Sequence, residues 1–185
     1  MTIDTLLTLD RAGLLDAVRQ GHEIAPEDLA DTEYMGVSLG MPGWVDRIAW
    51  KTFMKTFHAD PDTGVLRGWN VRLEQDGIDA APRMKRKRDA PITFGHYRVR
   101  PMTEDEHFRG VCRGLMLDYG AGGNSALDPV GFVRDPLVAL SPGDPSLLLG
   151  WSYVRIGATC LSTPSFFALR RVGPLSHRIG VPSGR

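Results

Sequence analysis

The chain has 185 residues, which suits one domain spanning 1–185. Its 22 Lys and Arg residues balance 22 Asp and Glu residues, so net charge gives no case for nucleic acid or an anionic membrane as partner. No apolar run reaches the roughly 20 residues of a membrane-spanning helix. The first residues also lack the basic start and apolar core of a signal peptide, so a cytoplasmic location is expected.

The chain begins with an amphipathic helical pattern within residues 3–20. Leucines and Val18 recur at helical spacing between charged residues, and Gly21 is suited to end the helix. We interpret residues 1–25 as a helical extension that packs on the outside of the main fold or at a contact between two copies. The second alternative leaves a homodimer open.

A first strand is expected at 34–39, and a second helical pattern follows at 44–58. Its apolar face carries Phe53 and Phe57, while Lys51 and Lys55 lie four residues apart on the other side. This aromatic mass predicts a plug helix that packs against a sheet face or a large cavity.

The remaining segments alternate like strands and are separated by turns rich in Gly and Pro. Strand patterns cover 65–73, 92–100, 111–119, 137–140, 147–156 and 166–171. No helical pattern separates the later strands, which excludes parallel βαβ units as the main plan. We therefore predict a mainly β fold: a closed or half-open antiparallel up-and-down barrel over 30–172, followed by a loose tail at 173–185. The basic segment 83–88 is interpreted as a solvated loop.

Several segments resemble, in order, the bacterial GXWXG/DUF4334-type proteins. The matching positions are Tyr34 to Gly36, Trp50 to Phe53, Phe132 to Arg134, Leu149 to Gly150 and Phe166 to Leu169. The chain departs from that pattern at Thr32, at Tyr34 and in an insertion around 78–91. More remotely, these proteins are similar to the calycin barrels: lipocalins, fatty-acid-binding proteins and nitrobindins. The resemblance implies a calycin-like barrel whose role concerns a hydrophobic small molecule.

A barrel of about eight strands can enclose one small ligand in a mostly apolar pocket. The expected ligand-binding residues are Trp69, Tyr97, Arg113, Leu115, Trp151 and Tyr153. A ligand carboxylate could be held by an arginine that lies in an otherwise apolar strand. The candidates are Arg113, Arg67 and Arg155. The alternative interpretation of each is an internal ion pair or an outward-facing side chain.

A small barrel enzyme of cyclase, isomerase or hydratase type is the alternative hypothesis. Asp118 and Tyr119 precede the glycines at 120–123 at a strand end, and with His96 they are the candidate catalytic acids and bases. The alternative for Asp118 is a turn residue that bonds the backbone. The histidines show no metal-ligand spacing, so neither metal nor cofactor is expected. Haem is a weaker alternative, with His96 or His177 as its ligand.

Overall fold

The computed structural model describes residues 1–40 and 51–180. Three helices come first: α1 (Ile3–Leu7), α2 (Arg11–Gln20) and α3 (Pro26–Leu29). The strands in this part of the chain are β1 (Thr32–Leu39), β2 (Thr52–Ala59), β3 (Leu66–Arg72), β4 (Arg86–Lys87), β5 (Ala90–Pro91), β6 (Thr93–Pro101), β7 (Leu115–Asp118), β8 (Val133–Ser141), β9 (Asp144–Ile156) and β10 (Thr159–Pro174). Short 3₁₀ turns cover Glu104–Glu106, Tyr119–Ala121 and Pro129–Phe132.

Eight of these strands form a closed antiparallel barrel. Around the barrel the order is β1, β2, β3, β6, β7, β8, β9 and β10, and β10 pairs back with β1. Apart from the β1–β10 pair that closes the barrel, each strand pairs with the barrel strands nearest to it in sequence, and no edge is left open. The predicted mainly β, up-and-down barrel is confirmed in its closed form. The short strands β4 and β5 form a separate ribbon in the connection between β3 and β6.

One half of the barrel interior is filled by side chains. Inward-facing residues of all eight strands pack there with Leu29 of α3; they include Tyr34, Phe57, Leu66, Tyr97, Val99, Leu115, Leu137, Leu148 and Leu169. This filled end lies where β1 begins and β2 ends. The largest part of this packing lies away from the opposite end of the barrel, where Leu39 ends β1 and Thr52 begins β2.

The first two helices cover part of the barrel's outer surface. Leu14 and Val18 of α2 pack with Val138 and Leu149, which face outward from β8 and β9. A Cβ on Gly21, at the end of α2, would clash with the Val138 side chain. The glycine therefore allows the end of the helix to approach the barrel wall closely.

A second outer surface is covered by the end of the chain. Trp69, Val71 and neighbouring apolar side chains pack there against Leu175 and Ile179, and the Trp69 indole donates to His177 Nε2 at 3.2 Å. The expected loose tail at 173–185 is therefore wrong for residues 173–180, which end β10 and then cover this surface. Residues 181–185 lie outside the described part of the chain.

The predicted plug helix is wrong over residues 52–58, which belong to strand β2. Phe53 and Phe57 are four residues apart, a spacing that places two side chains on one face of either a helix or a strand. Pairing with β1 on one side and β3 on the other decides in favour of the strand. The rest of that prediction, at 44–50, lies outside the described residues.

The basic segment 83–88 is exposed apart from Met84, which packs against the outer surface around Trp69. Cys112 and Cys160 are free thiols. Among residues 1–40 and 51–180, no helix is long and apolar enough to cross a membrane.

Candidate functional site

A cavity of about 210 Å³ opens at the end of the barrel opposite α3. Every barrel strand or its immediate end contributes to the lining: Ser38, Phe53, Lys55, Asn70, Phe94, Tyr119, Val130, Val133, Asp135, Ser152, Ser165, Phe166 and Phe167. Four of these side chains, Lys55, Asn70, Tyr119 and Asp135, bond to one another and are here called the polar cluster. The cavity thus combines phenyl walls with one compact polar region.

Two glycines shape the phenyl walls. Gly36 of β1 pairs with Phe53 of β2, and Gly150 of β9 pairs with Phe167 of β10. A Cβ at either glycine would lie closer than 3.0 Å to the paired phenyl ring. Because these strands lack side chains there, both rings lie against the barrel wall and leave space at its mouth.

The ammonium group of Lys55 is the centre of the polar cluster. It donates to Tyr119 OH at 2.6 Å, to Asn70 Oδ1 at 3.0 Å and to Asp135 Oδ2 at 3.4 Å. The side chain is only 2% exposed, and aromatic rings surround its nitrogen, with the ring centroids of Phe167 and Tyr97 at 4.8 and 4.9 Å. The three protons of the ammonium therefore match three acceptors inside the barrel.

Asp135 is the charged partner of Lys55, and its side chain is 3% exposed. Its Oδ2 accepts from the Tyr119 hydroxyl at 3.0 Å as well as facing Lys55. The other oxygen, Oδ1, is buried and has no hydrogen-bond partner among the described residues. A buried acceptor without a partner is unfavourable, so the cluster has an unused capacity to accept one hydrogen bond.

Burial changes the proton affinities in the cluster. It lowers the pKa of Lys55, and the carboxylate of Asp135 opposes this change. Burial also raises the pKa of Tyr119 well above 10.0, and Asp135 adds to the effect. The phenol of Tyr119 therefore keeps its proton at neutral pH, and the amine of Lys55 loses one more readily than an exposed lysine does.

The predicted ligand-lining residues divide between the two faces of the barrel wall. Tyr97 and Leu115 face inward, as expected, but they belong to the filled interior. Trp69, Trp151 and Tyr153 lie in the outer clusters, so the expectation that they line the interior is wrong for these three. Alternation along a strand separates two faces without showing which one is inside.

No arginine predicted to hold a ligand carboxylate lines this cavity. Arg113 is exposed and lies outside it. Arg155 pairs with Asp105 at 2.9 Å, and Arg67 approaches Asp60 at 3.5 Å. The cationic side chain at the cavity is Lys55 instead.

Of the three predicted catalytic residues, only Tyr119 reaches the cavity. Asp118 faces outward, where it pairs with Arg100 at 3.1 Å and Arg134 at 3.2 Å and accepts from the backbone of Ala121. Its contacts fit the alternative interpretation of a structural turn residue.

Neither of the two candidate histidines lines the cavity. The His96 ring lies on the outer face, 6.4 Å from the Trp69 ring, and His177 accepts from that same indole. Neither is therefore placed to be a haem ligand inside the barrel. In the part of the chain that the structure describes, no three His, Cys, Asp or Glu side chains form a group suited to a metal.

Sequence reasoning missed Lys55, Asn70 and Asp135. The helical pattern predicts Lys55 on the solvent side, although the β-branched and aromatic residues between Thr52 and Phe57 equally suit a strand. Asp135 precedes Pro136, and an Asp-Pro pair is typical of a turn. A residue before proline prefers extended backbone, which equally suits the strand β8 found there.

Comparison of the chain with models of protein families, with characterised proteins and with solved structures finds no match. The resemblance to the GXWXG/DUF4334-type proteins therefore stays a prediction. The function has to be argued from the cavity itself.

Proposed function

We propose that this protein binds a small hydrophobic molecule at the open end of the barrel, with one end of the molecule inserted toward the polar cluster. The observation that carries the proposal is the cavity itself, where phenyl walls lead to a buried acceptor that has no partner in the described part of the chain. Ligand sites commonly combine apolar walls with a few orienting polar groups. Lys55 and Asp135 take the orienting role that the sequence suggested for an arginine.

The size of the cavity limits the ligand. About 210 Å³ is less than the roughly 300 Å³ at which pockets for drug-sized ligands begin. The filled interior around Tyr34 and Phe57 also closes the way through the barrel. The ligand is therefore either small throughout or inserts only one end.

Filling the cavity tests this proposal. Ser165 lines the cavity from β10, whereas Ser162, on the same strand, is exposed and lies outside it. We expect Ser165→Phe to abolish the binding of benzyl alcohol, followed by NMR titration of backbone amides, and Ser162→Phe to leave it unchanged. Native mass spectrometry with organic extraction of the freshly purified protein would identify a natural ligand. Equal binding of benzyl alcohol by both variants would contradict the proposed location.

The second candidate function is proton transfer on a bound carbonyl compound, as in an isomerase. The observation that favours it is the 2.6 Å contact between Lys55 Nζ and Tyr119 OH, in which a protonated phenol meets an amine of lowered pKa. Such a pair can supply an acid and a base to a ketone and its α-carbon once the ketone oxygen displaces Asp135 Oδ2 as the acceptor of the Tyr119 hydroxyl. The candidate proton carriers are then Tyr119 and Lys55 in place of Asp118 and His96.

Hydrogen exchange on a simple ketone tests this candidate. Acetophenone in D₂O exchanges its methyl protons only through its enol, and ¹H NMR follows the loss of the methyl signal. We expect the protein to accelerate this exchange and Tyr119→Phe to remove the acceleration. His96→Gln, on the outer face, is the control and should exchange like the unaltered protein. A rate no higher than that of buffer alone would contradict the enzymatic role while leaving binding intact.

A further inference from the structure

The hydrogen-bond donors of the polar cluster are all in use. Lys55 directs its three protons to Tyr119, Asn70 and Asp135. The Tyr119 hydroxyl donates to Asp135 Oδ2 at 3.0 Å. The amide of Asn70 donates to the backbone carbonyl of Gly95 at 3.0 Å and lies 3.4 Å from that of Phe94. The cluster therefore offers no free N–H or O–H to an incoming molecule.

The polar cluster can accept one more hydrogen bond, at Asp135. Among residues 1–40 and 51–180, Asp135 Oδ1 is buried without a hydrogen-bond partner, while Oδ2 of the same carboxylate has two. Leaving a buried oxygen of a charged group unpaired is costly, and a donor placed beside it removes that cost. A ligand that brings a donor gains this bond, whereas a ligand that brings only acceptors gains nothing from the cluster.

We infer that the inserted end of the ligand is an uncharged hydroxyl group that donates to Asp135 Oδ1. This inference rests on the proposed binding function and assigns the ligand class to alcohols and phenols. A carboxylate ligand, which the sequence suggested, meets the like charge of Asp135 and finds no free donor in the cluster. An ammonium ligand competes with Lys55 for the same carboxylate and loses its hydration between phenyl walls.

A set of four probes separates these ligand classes. Benzyl alcohol and anisole are isomers of one formula, but only the alcohol has a hydroxyl proton; benzoate and benzylammonium supply the two charges. Their Kd values come from NMR titration of amides around the cavity. We expect benzyl alcohol to bind at least about tenfold more tightly than anisole, as a hydrogen bond to a charged acceptor implies. It should also bind more tightly than benzoate and benzylammonium.

Each result has a distinct meaning. Equal binding of benzyl alcohol and anisole, or tighter binding of either charged probe, overturns the inference and leaves the binding function standing. No perturbation of the cavity amides by any of the four probes overturns the binding function itself. The comparison uses the unaltered protein, so it does not depend on the folding of a variant.

Asp135→Asn identifies the acceptor. Tyr119 and Lys55 both donate toward Oδ2, so the amide oxygen of Asn takes that place and its NH₂ group replaces Oδ1. The free acceptor thus becomes a donor, and the preference for benzyl alcohol over anisole should fall close to parity. Glu33→Gln is the matched control, because Glu33 is also buried but bonds Ser176 outside the cavity, and it should keep the preference. A preference that survives in a folded Asp135→Asn variant overturns the assignment to Asp135.

Discussion

Replacing Lys55 by methionine removes the positive charge from the polar cluster while keeping a side chain of similar length. The thioether can still pack between the rings of Phe167 and Tyr97, which lie 4.8 and 4.9 Å from the lysine nitrogen. The change therefore isolates the charge and its hydrogen bonds from the packing.

The expected loss of stability in Lys55→Met comes from groups that lose their partner. Asp135 keeps its charge at 3% side-chain exposure but loses its cation, and Asn70 Oδ1 and Tyr119 OH each lose a donor. Removing one partner of a buried ion pair costs about 3–5 kcal/mol. For a chain of this size each kcal/mol lowers the melting temperature by about 2–4 °C, so a decrease of at least about 6 °C is expected.

A double-mutant cycle measures the interaction. Urea unfolding, followed by tryptophan fluorescence, gives the free energy of unfolding for Lys55→Met, Asp135→Asn and the double variant. The double variant holds no unpaired charge, so its cost should fall below the sum of the single costs by about 2 kcal/mol. Arg83→Met is the control: its ion pair with Asp76 spans only 2.8 Å, but Arg83 is 68% exposed, so a cost below about 1 kcal/mol is expected.

Two results would refute this reasoning. The first is that Lys55→Met lowers the free energy of unfolding no more than Arg83→Met does. Burial would then not make the Lys55–Asp135 ion pair more stabilising than an exposed ion pair. If the two single costs add in the double variant, the two side chains act independently and the polar cluster is not a unit.

Three further predictions concern charge, packing and the outer face. Burial holds the pKa of Lys55 below its unfolded value of about 10.4, so the unfolded chain binds more protons between the two values. As the pH rises from the folded to the unfolded pKa of Lys55, the urea midpoint of the unaltered protein should therefore increase more than the midpoint of the Lys55→Met variant does. Gly68→Ala should lower the free energy of unfolding, measured in urea, by at least about 2 kcal/mol, because its Cβ would clash with a backbone carbonyl of the neighbouring strand. Gly173→Ala is the control and should leave the free energy of unfolding almost unchanged, because the space around Gly173 is open. Trp69→Phe loses the bond to His177, so limited proteolysis should cut residues 175–180 faster while the Kd of benzyl alcohol stays unchanged.

The architecture could be predicted because strand alternation and turn residues are local signals. Seven strand-like segments, the first at 34–39, are separated by turns rich in Gly and Pro and become barrel strands that pair in chain order. The direction of each face could not be predicted in the same way. On β3 the more apolar face, with Trp69 and Val71, points outward under the end of the chain, while Asn70 points inward. The apolar face of a strand is inside only when nothing else covers the outside.

The site was harder to predict because its residues look ordinary in the sequence. A lysine in an amphipathic stretch and an aspartate before a proline are usually solvent-facing. What brings Lys55 and Asp135 together is the closed barrel, which places β2 across from β8 although 80 positions separate the two residues. The spacing of residues along the chain does not indicate which distant side chains will be paired in the folded barrel.

Several features of the cavity are not explained by the stability of the fold. Exchanging a buried ion pair for apolar side chains of similar volume is often neutral or stabilising, and the other half of this barrel is filled in that way. The open half instead keeps Lys55 and Asp135, together with a carboxylate oxygen for which the described residues provide no partner. It also keeps Gly36 and Gly150, which hold two phenyl rings against the wall and preserve the space. None of these features is needed for a stable core, and the proposed ligand, by donating to Asp135, would account for all of them together.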